Sequence, residues 1–229
     1  MLLAGCPVRP HLPPAAPAAP LAPAAHEGTR YDIDPAASLL TVRVYRGGTL
    51  ASAGHNHVIA SHELGGALYV PADLLHASFE VHIPVESLSV DEQQLRAREL
   101  SPDFPPDVPD SARQGTRHNM LSAALLDAEN HPQIVLRALA LSAQGKPGVP
   151  AGTLAARVAV EVRGQQRAVE VPVNYRLDGD TLTVTAQFPL RQSDIGLTPF
   201  TAMLGALAVQ DEMRVRLELT AHPPGRSGP

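Results

Sequence analysis

Two histidines one residue apart, in Gly54-His55-Asn56-His57-Val58, are the side chains best suited to chemistry in this chain. In a β-strand, residues two apart share a face, so both imidazoles would converge on one point. Neutral imidazole suits zinc, copper, nickel or iron. A metal centre held by His55 and His57 needs a third ligand, for which His62, Glu63, His118 and Asp194 are the candidates. The pair has two other uses. One ring can make a buried hydrogen bond while the other is solvated, or His55, His57 and His118 can offer polar contacts to the head group of a bound molecule. A single cysteine, Cys6, excludes an intrachain disulfide. It closes Leu3-Ala4-Gly5-Cys6, which matches a bacterial lipobox, where small residues let a signal peptidase reach a cysteine that then carries a lipid.

Enzyme scaffolds built on such histidines fit poorly. A (β/α)8 metallohydrolase needs strands alternating with helices over ~250 residues, and no such alternation runs through this chain. A metallo-β-lactamase-like H-x-H-x-D-H fails at Ile59, which stands where the aspartate should. A cupin comes nearer, because Gly48, His55, His57 and Glu63 approximate its first motif. The spacing from His57 to Glu63 is too long, however, and no second P-x-G-x-x-H follows. A cupin-like metalloenzyme using His55 and His57 is the alternative to a binding function. There is no G-x-S-x-G nucleophile elbow and no glycine-rich phosphate loop. Glu161 and Glu170 belong to a polar hairpin face rather than to an acid/base pair. The expectation is a chain without catalytic residues or a cofactor, with a transition metal at His55 and His57 as the exception.

Composition narrows the partners. The chain has 229 residues, a net charge of −5, no Trp, four Phe and four Tyr. It offers neither a basic footprint for nucleic acid nor an aromatic platform for single strands. With 44% hydrophobic residues and few aromatics, its interior must be aliphatic. No apolar run reaches the ~18 residues of a membrane-spanning helix.

The elements that must position any site are strands. From Arg157 to Tyr175, Val158, Val160 and Val162 alternate with polar residues. After Gly164-Gln165-Gln166-Arg167, read as the turn, Val169, Val171 and Val173 resume the alternation. Period-two β-branched residues around a glycine turn predict a β-hairpin with one apolar face. The same patterning predicts strands at 38–45, 57–61, 64–70, 77–85, 133–141, 153–163, 167–176, 181–190 and 213–221. Short helices are predicted within 91–100, 111–127 and 200–207, all in connections. Many short strands joined by turns imply an antiparallel sandwich or barrel. Residues 7–28 form a Pro/Ala-rich tether, ~3.1 Å per residue where extended, and residues 223–229 a flexible tail.

Several segments, in order, resemble the YceI-like family of lipocalin-like, polyisoprenoid-binding β-barrels. Tyr31-Asp32-Ile33-Asp34 followed by Ser38 is similar to its opening strand, and Val81-His82-Ile83-Pro84-Val85-Glu86-Ser87-Leu88-Ser89 to its v-x-i-x-v-x-S-i-x segment. His131-Pro132-Gln133-Ile134 resembles its Y-P-x-I. Gly152-Thr153-Leu154 with Arg163-Gly164 and Arg167 resembles its G-x-L…G-x-x-R hairpin, and Phe188 with Asp194-Ile195-Gly196 its late F…D-x-G. Two segments depart from the pattern: the histidine pair around Gly54–Val58, and a long stretch from Asp91 to Asn130.

The resemblance implies an all-β chain, a single antiparallel lipocalin-like β-barrel over residues 29–222 with short helices in the connections. It implies a ligand too: an amphiphilic isoprenoid-type lipid such as a quinone or polyprenyl chain, bound or carried in the bacterial periplasm or cell envelope without reaction. An eight-stranded barrel is just wide enough to fill with side chains or to hold one ligand. Each buried CH2 is worth roughly 0.8 kcal/mol, so a long prenyl chain gains most from an apolar tunnel. The expected lining is Val42, Val44, Val81, Ile83, Val158, Val160, Val162, Val169, Val171, Val173 and Phe188. Residues 1–6 read as the remnant of a lipoprotein signal, with Cys6 as a membrane anchor. A homodimer is compatible with the sequence. A filled barrel serving as an envelope interaction protein is the third reading.

Overall fold

The computed structural model describes residues 22, 25–144 and 151–226. Cys6, most of the 7–28 tether and the end of the 223–229 tail lie outside the described residues. The strands are β1 (Thr29–Ile33), β2 (Leu39–Val44), β3 (Arg46–Gly47), β4 (His57–Ser61), β5 (Gly65–Val70), β6 (Ser78–Pro84) and β7 (Ser89–Val90). They continue as β8 (Gln133–Ala143), β9 (Ala151–Val162), β10 (Gln165–Asp178), β11 (Thr181–Arg191), β12 (Thr201–Ala202), β13 (Leu207–Val209) and β14 (Glu212–His222). Two α-helices, α1 (Gln93–Arg96) and α2 (Asp110–Leu121), lie in the long connection between β7 and β8.

Pairing runs β1-β5-β6-β8-β9-β10-β11-β14, all antiparallel, and β14 pairs back onto β1. The result is a closed eight-stranded barrel with no free edge in the ring. Three of its strands are prolonged at one end. β14 pairs with β1 at Ala221 and His222 and with β2 at Arg214 to Glu218. β2 thus continues the line of β1 after the Pro35–Ala37 turn, β4 leads into β5, and β7 follows β6. The prolonged end carries both histidines of the Gly54–Val58 segment.

The β9–β10 hairpin shows why alternation predicts this wall. Val169 faces Val158, Val171 faces Ala156 and Val173 faces Leu154, so one face of the pair is continuous hydrocarbon. The turn is tighter than the sequence suggests. Val162 pairs with Gln165, leaving only Arg163 and Gly164, at φ 51° and 67°. Positive φ at both central residues matches the right-handed twist of the flanking strands.

Two expectations fail. The predicted helix at 200–207 is a hairpin of β12 and β13 around a single 3-10 turn, paired to β3 through Ala208 and Val209. The predicted helix at 91–100 shrinks to the single turn of α1. Its segment instead covers the outside of β4, where Val58 and Ala60 pack with Leu95 and Phe104. Ile59 on the other face joins the barrel core. A strand buried on both faces shows no alternation, which is why His57–Ser61 reads as a plain apolar run.

Candidate functional site

A cavity of about 240 Å³ runs inside the barrel and is lined by side chains from most of its strands. On β11 the lining passes from Leu182 through Val184, Ala186 and Phe188 to Leu190. At about 3.4 Å per residue, that is roughly 27 Å of strand. Many lining residues, including Val173, Val184 and Phe188, are only partly buried although they point inward. Small aliphatic side chains do not meet across the barrel. At the rim near the β10–β11 turn, Tyr69, Leu74, Tyr175 and Leu177 are half-buried and Leu75 is exposed. His26, just before β1, stacks on Tyr69 with ring centroids 4.3 Å apart, so the entry to β1 lies at this rim.

Nine of the eleven expected lining residues face this cavity: Val42, Val81, Ile83, Val158, Val160, Val169, Val171, Val173 and Phe188. Two do not. Val162 is buried in the core beside the hairpin turn, beyond the end of the cavity. Val44 lines a second cavity of about 380 Å³. The switch follows the strands. Val42 and Leu190 face the first cavity, and the next inward residues, Val44 and Gln192, face the second.

This second cavity holds the polar site. His55 and His57 share its wall, with ring centroids 6.0 Å apart and tilted by 51°. Their proximity does not come from strand alternation, because β4 begins only at His57. Asn56 fixes the approach between them. Its Oδ1 accepts from the Arg46 N–H at 2.8 Å and its Nδ2 donates to the Asp103 carbonyl at 2.9 Å.

His57 is held on both sides. Its Nδ1 lies 2.6 Å from Asp91 Oδ2, and its Nε2 lies 3.1 Å from the Thr116 hydroxyl. An ionised carboxylate only accepts, so Nδ1 carries the proton, and in the neutral ring Nε2 accepts from Thr116. Asp91 arrives by register. Ile59 pairs with Val90, which sets Asp91 beside Val58, whose N–H donates to Asp91 Oδ1 at 2.8 Å. Asp91 takes φ 52°, a left-handed conformation that aspartate tolerates. Burial pushes the Asp91 carboxyl up. The hydrogen bonds from His57 and Val58 and the charge of Arg96 outweigh it and hold the group below the usual carboxylate value. Behind it lies Arg96, only 1% exposed, whose Nη1 donates to Asp91 Oδ1 at 2.7 Å and to the Asn56 carbonyl at 2.6 Å. Its guanidinium carbon is 5.3 Å from the centre of the Phe104 ring.

α2 supplies the opposite wall. Ala112, Thr116, Asn119 and Met120 recur at three- and four-residue spacing and share one face. His118, expected beside the histidine pair, is two residues from Thr116, roughly 200° around the helix, and is exposed. The other third-ligand candidates lie elsewhere: His62 pairs with Glu92 on the surface, and Glu63 and Asp194 are exposed. Among the described residues no three His, Cys, Asp or Glu side chains form a metal-binding group. Without a third ligand among the described residues, His55 and His57 do not suit the cupin-like reading. Asp91, Thr116 and Asn119 were missed in the sequence. The helical spacing around Thr116 was the available signal for that residue, and nothing local marks Asp91.

Known proteins add the following. The YceI-like domain matches residues 31–221. No functionally curated protein matches significantly in sequence. Among solved structures, BcnA of Burkholderia cenocepacia is similar at 18% identity and a TM-score of 0.59, covering 83% of this chain and 99% of that one. A polyisoprenoid binding domain from Saccharophagus degradans, implicated in plant cell wall breakdown, is similar at 12% identity and a TM-score of 0.57, covering 85% and 98%. At these identities the likeness concerns the fold.

Proposed function

The chain belongs to the YceI-like family, and on that premise we propose that it binds the hydrocarbon chain of an amphiphilic isoprenoid-type lipid, a quinone or polyprenyl chain, without transforming it. One observation carries the reading: the inward faces of the barrel strands leave a long apolar cavity with no charged residue in its lining. Such a space favours a chain-like ligand, whose methylene and methyl groups each gain from leaving water. The polyisoprenoid-binding likeness of the Saccharophagus domain supports the same class of ligand.

The protein would act as a carrier or store in the bacterial periplasm or cell envelope, tethered through a lipid on Cys6. The chain emerges by His26, at the rim formed by Tyr69 and Tyr175, so a tether there would turn that rim toward the membrane. The test is organic extraction of the purified full-length protein followed by mass spectrometry of the extract and of the intact chain. An isoprenoid lipid near one per chain, lost in Val184→Phe, supports the reading. The binding function falls if no apolar molecule co-purifies and none can be loaded from detergent. An unmodified Cys6 thiol on the protein from its native host would remove the anchor alone.

A further inference from the structure

The second cavity, of about 380 Å³, differs from the first in chemistry. Nearly half of its lining comes from the two segments in which the chain departs from the family's sequence pattern, Gly54–Val58 and Asp91–Asn130. Much of its lining is apolar, including Ile59, Met120 and Leu207, and it contains the aromatic rings of Tyr45 and Phe200. Its polar groups converge from two sides: His57 and Thr116, already hydrogen-bonded to each other, and His55 and Asn119. No carboxylate lines it, and its one cationic residue, Arg46, turns a guanidinium nitrogen to the Gly54 carbonyl at 3.0 Å. Asp91 lies behind His57, its charge matched by Arg96.

We propose that this cavity is a binding site for a neutral phenol-class hydroxyl, which displaces the Thr116 hydroxyl and donates its hydrogen bond to His57 Nε2. Asp91 fixes the tautomer that makes Nε2 an acceptor, and the Thr116 hydroxyl marks the direction from which a donor approaches. A phenol is the fitting donor because its O–H is more acidic than an alcohol's and its ring suits the apolar wall. A ligand carboxylate has no proton to donate to Nε2, and a ligand ammonium would find no carboxylate in the wall. His55 and Asn119 are placed to meet a second oxygen on the ring. The inference does not rest on what occupies the apolar cavity. The phenol is either a small molecule or the head of an amphiphile whose chain enters that cavity.

The experiment is calorimetric titration of the full chain with p-cresol, toluene and benzoate, with ¹⁵N spectra of the histidine rings. The expected result is p-cresol binding at least tenfold tighter than toluene or benzoate, with a change in the His57 Nε2 shift. His57→Phe should weaken p-cresol at least tenfold. Gly115→Phe should do the same while keeping the fold, since a Cβ at Gly115 meets nothing within 4 Å and the residue lines the cavity. Thr116→Val removes the internal donor and should leave p-cresol binding equal or tighter. With 4-dodecylphenol, a gain in affinity that Val184→Phe cancels assigns the hydroxyl to an amphiphile spanning both cavities, and equal affinity assigns it to a free phenol. The proposal is overturned if p-cresol and toluene bind alike, if p-cresol does not bind, or if its binding is unchanged in Gly115→Phe.

Discussion

Removing the carboxylate of Asp91 should cost this fold about 3–5 kcal/mol, the range for breaking a buried ion pair. Asp91 is 2% exposed and its carboxylate makes three short contacts, to His57 Nδ1 at 2.6 Å, Arg96 Nη1 at 2.7 Å and the Val58 N–H at 2.8 Å. Asp91→Ala leaves the Arg96 guanidinium as a buried charge without its counter-ion. Arg96 has little in reserve, because its Nη2 is the one buried polar side-chain atom without a hydrogen-bond partner among the described residues. Against a total stability of about 5–15 kcal/mol, the loss is a large fraction. Asp91→Asn keeps the shape and an acceptor for Val58, so it should cost less, about 2–3 kcal/mol. Arg96→Met added to Asp91→Asn removes the stranded charge, and the pair should be less damaging than the sum of the single changes by about 1–3 kcal/mol. Urea unfolding followed by circular dichroism measures all five proteins, wild type, Asp91→Ala, Asp91→Asn, Arg96→Met and the double variant. If Asp91→Ala stays within about 1 kcal/mol of wild type, or the double change is additive, the account of this network is wrong. Acid gives an independent check. The folded Asp91 value is lowered below an unfolded ~3.9, so its contribution is fully present above that value and is lost as pH falls through the folded one. The wild-type urea midpoint should therefore drop more steeply below about pH 4 than that of Asp91→Asn.

Two further outcomes follow from local geometry. At Gly66, φ is +116° and an added Cβ would stand 2.0 Å from the Glu80 carbonyl oxygen, so Gly66→Ala should part β5 from β6 and cost more than ~2 kcal/mol by thermal melting. Met203 and Leu204 are 70% and 108% exposed at the tip between β12 and β13. Replacing both by Ser should leave stability within ~0.5 kcal/mol and shorten retention on a hydrophobic column.

How legible each element was depends on what covers it. β9, β10, β11 and β14 separate cavity from solvent along most of their length, and their alternation reads directly from residues such as Val169, Val171 and Val173. β4 was recognisable as an apolar run but not as a wall with a direction, because Leu95 and Phe104 bury its outer face. The segment at 200–207 misled because its apolar residues suit a short helix. Pairing to β3 and left-handed backbone at Met203 and Leu204 make it a hairpin instead.

The same division runs through the candidate sites. Period-two patterning is a local consequence of the strand backbone, so the amino-acid sequence alone determined the barrel wall and most of the apolar lining. It also singled out His55 and His57 by their spacing. Where the first cavity ends and the second begins was decided only when the strands closed on one another, leaving Val44 and Val162 outside the apolar space. The partners of His57 were decided there too. Asp91 is 34 residues away and Thr116 is 59, and only the β4–β7 register and the seating of α2 bring a carboxylate and a hydroxyl to the two nitrogens of one ring.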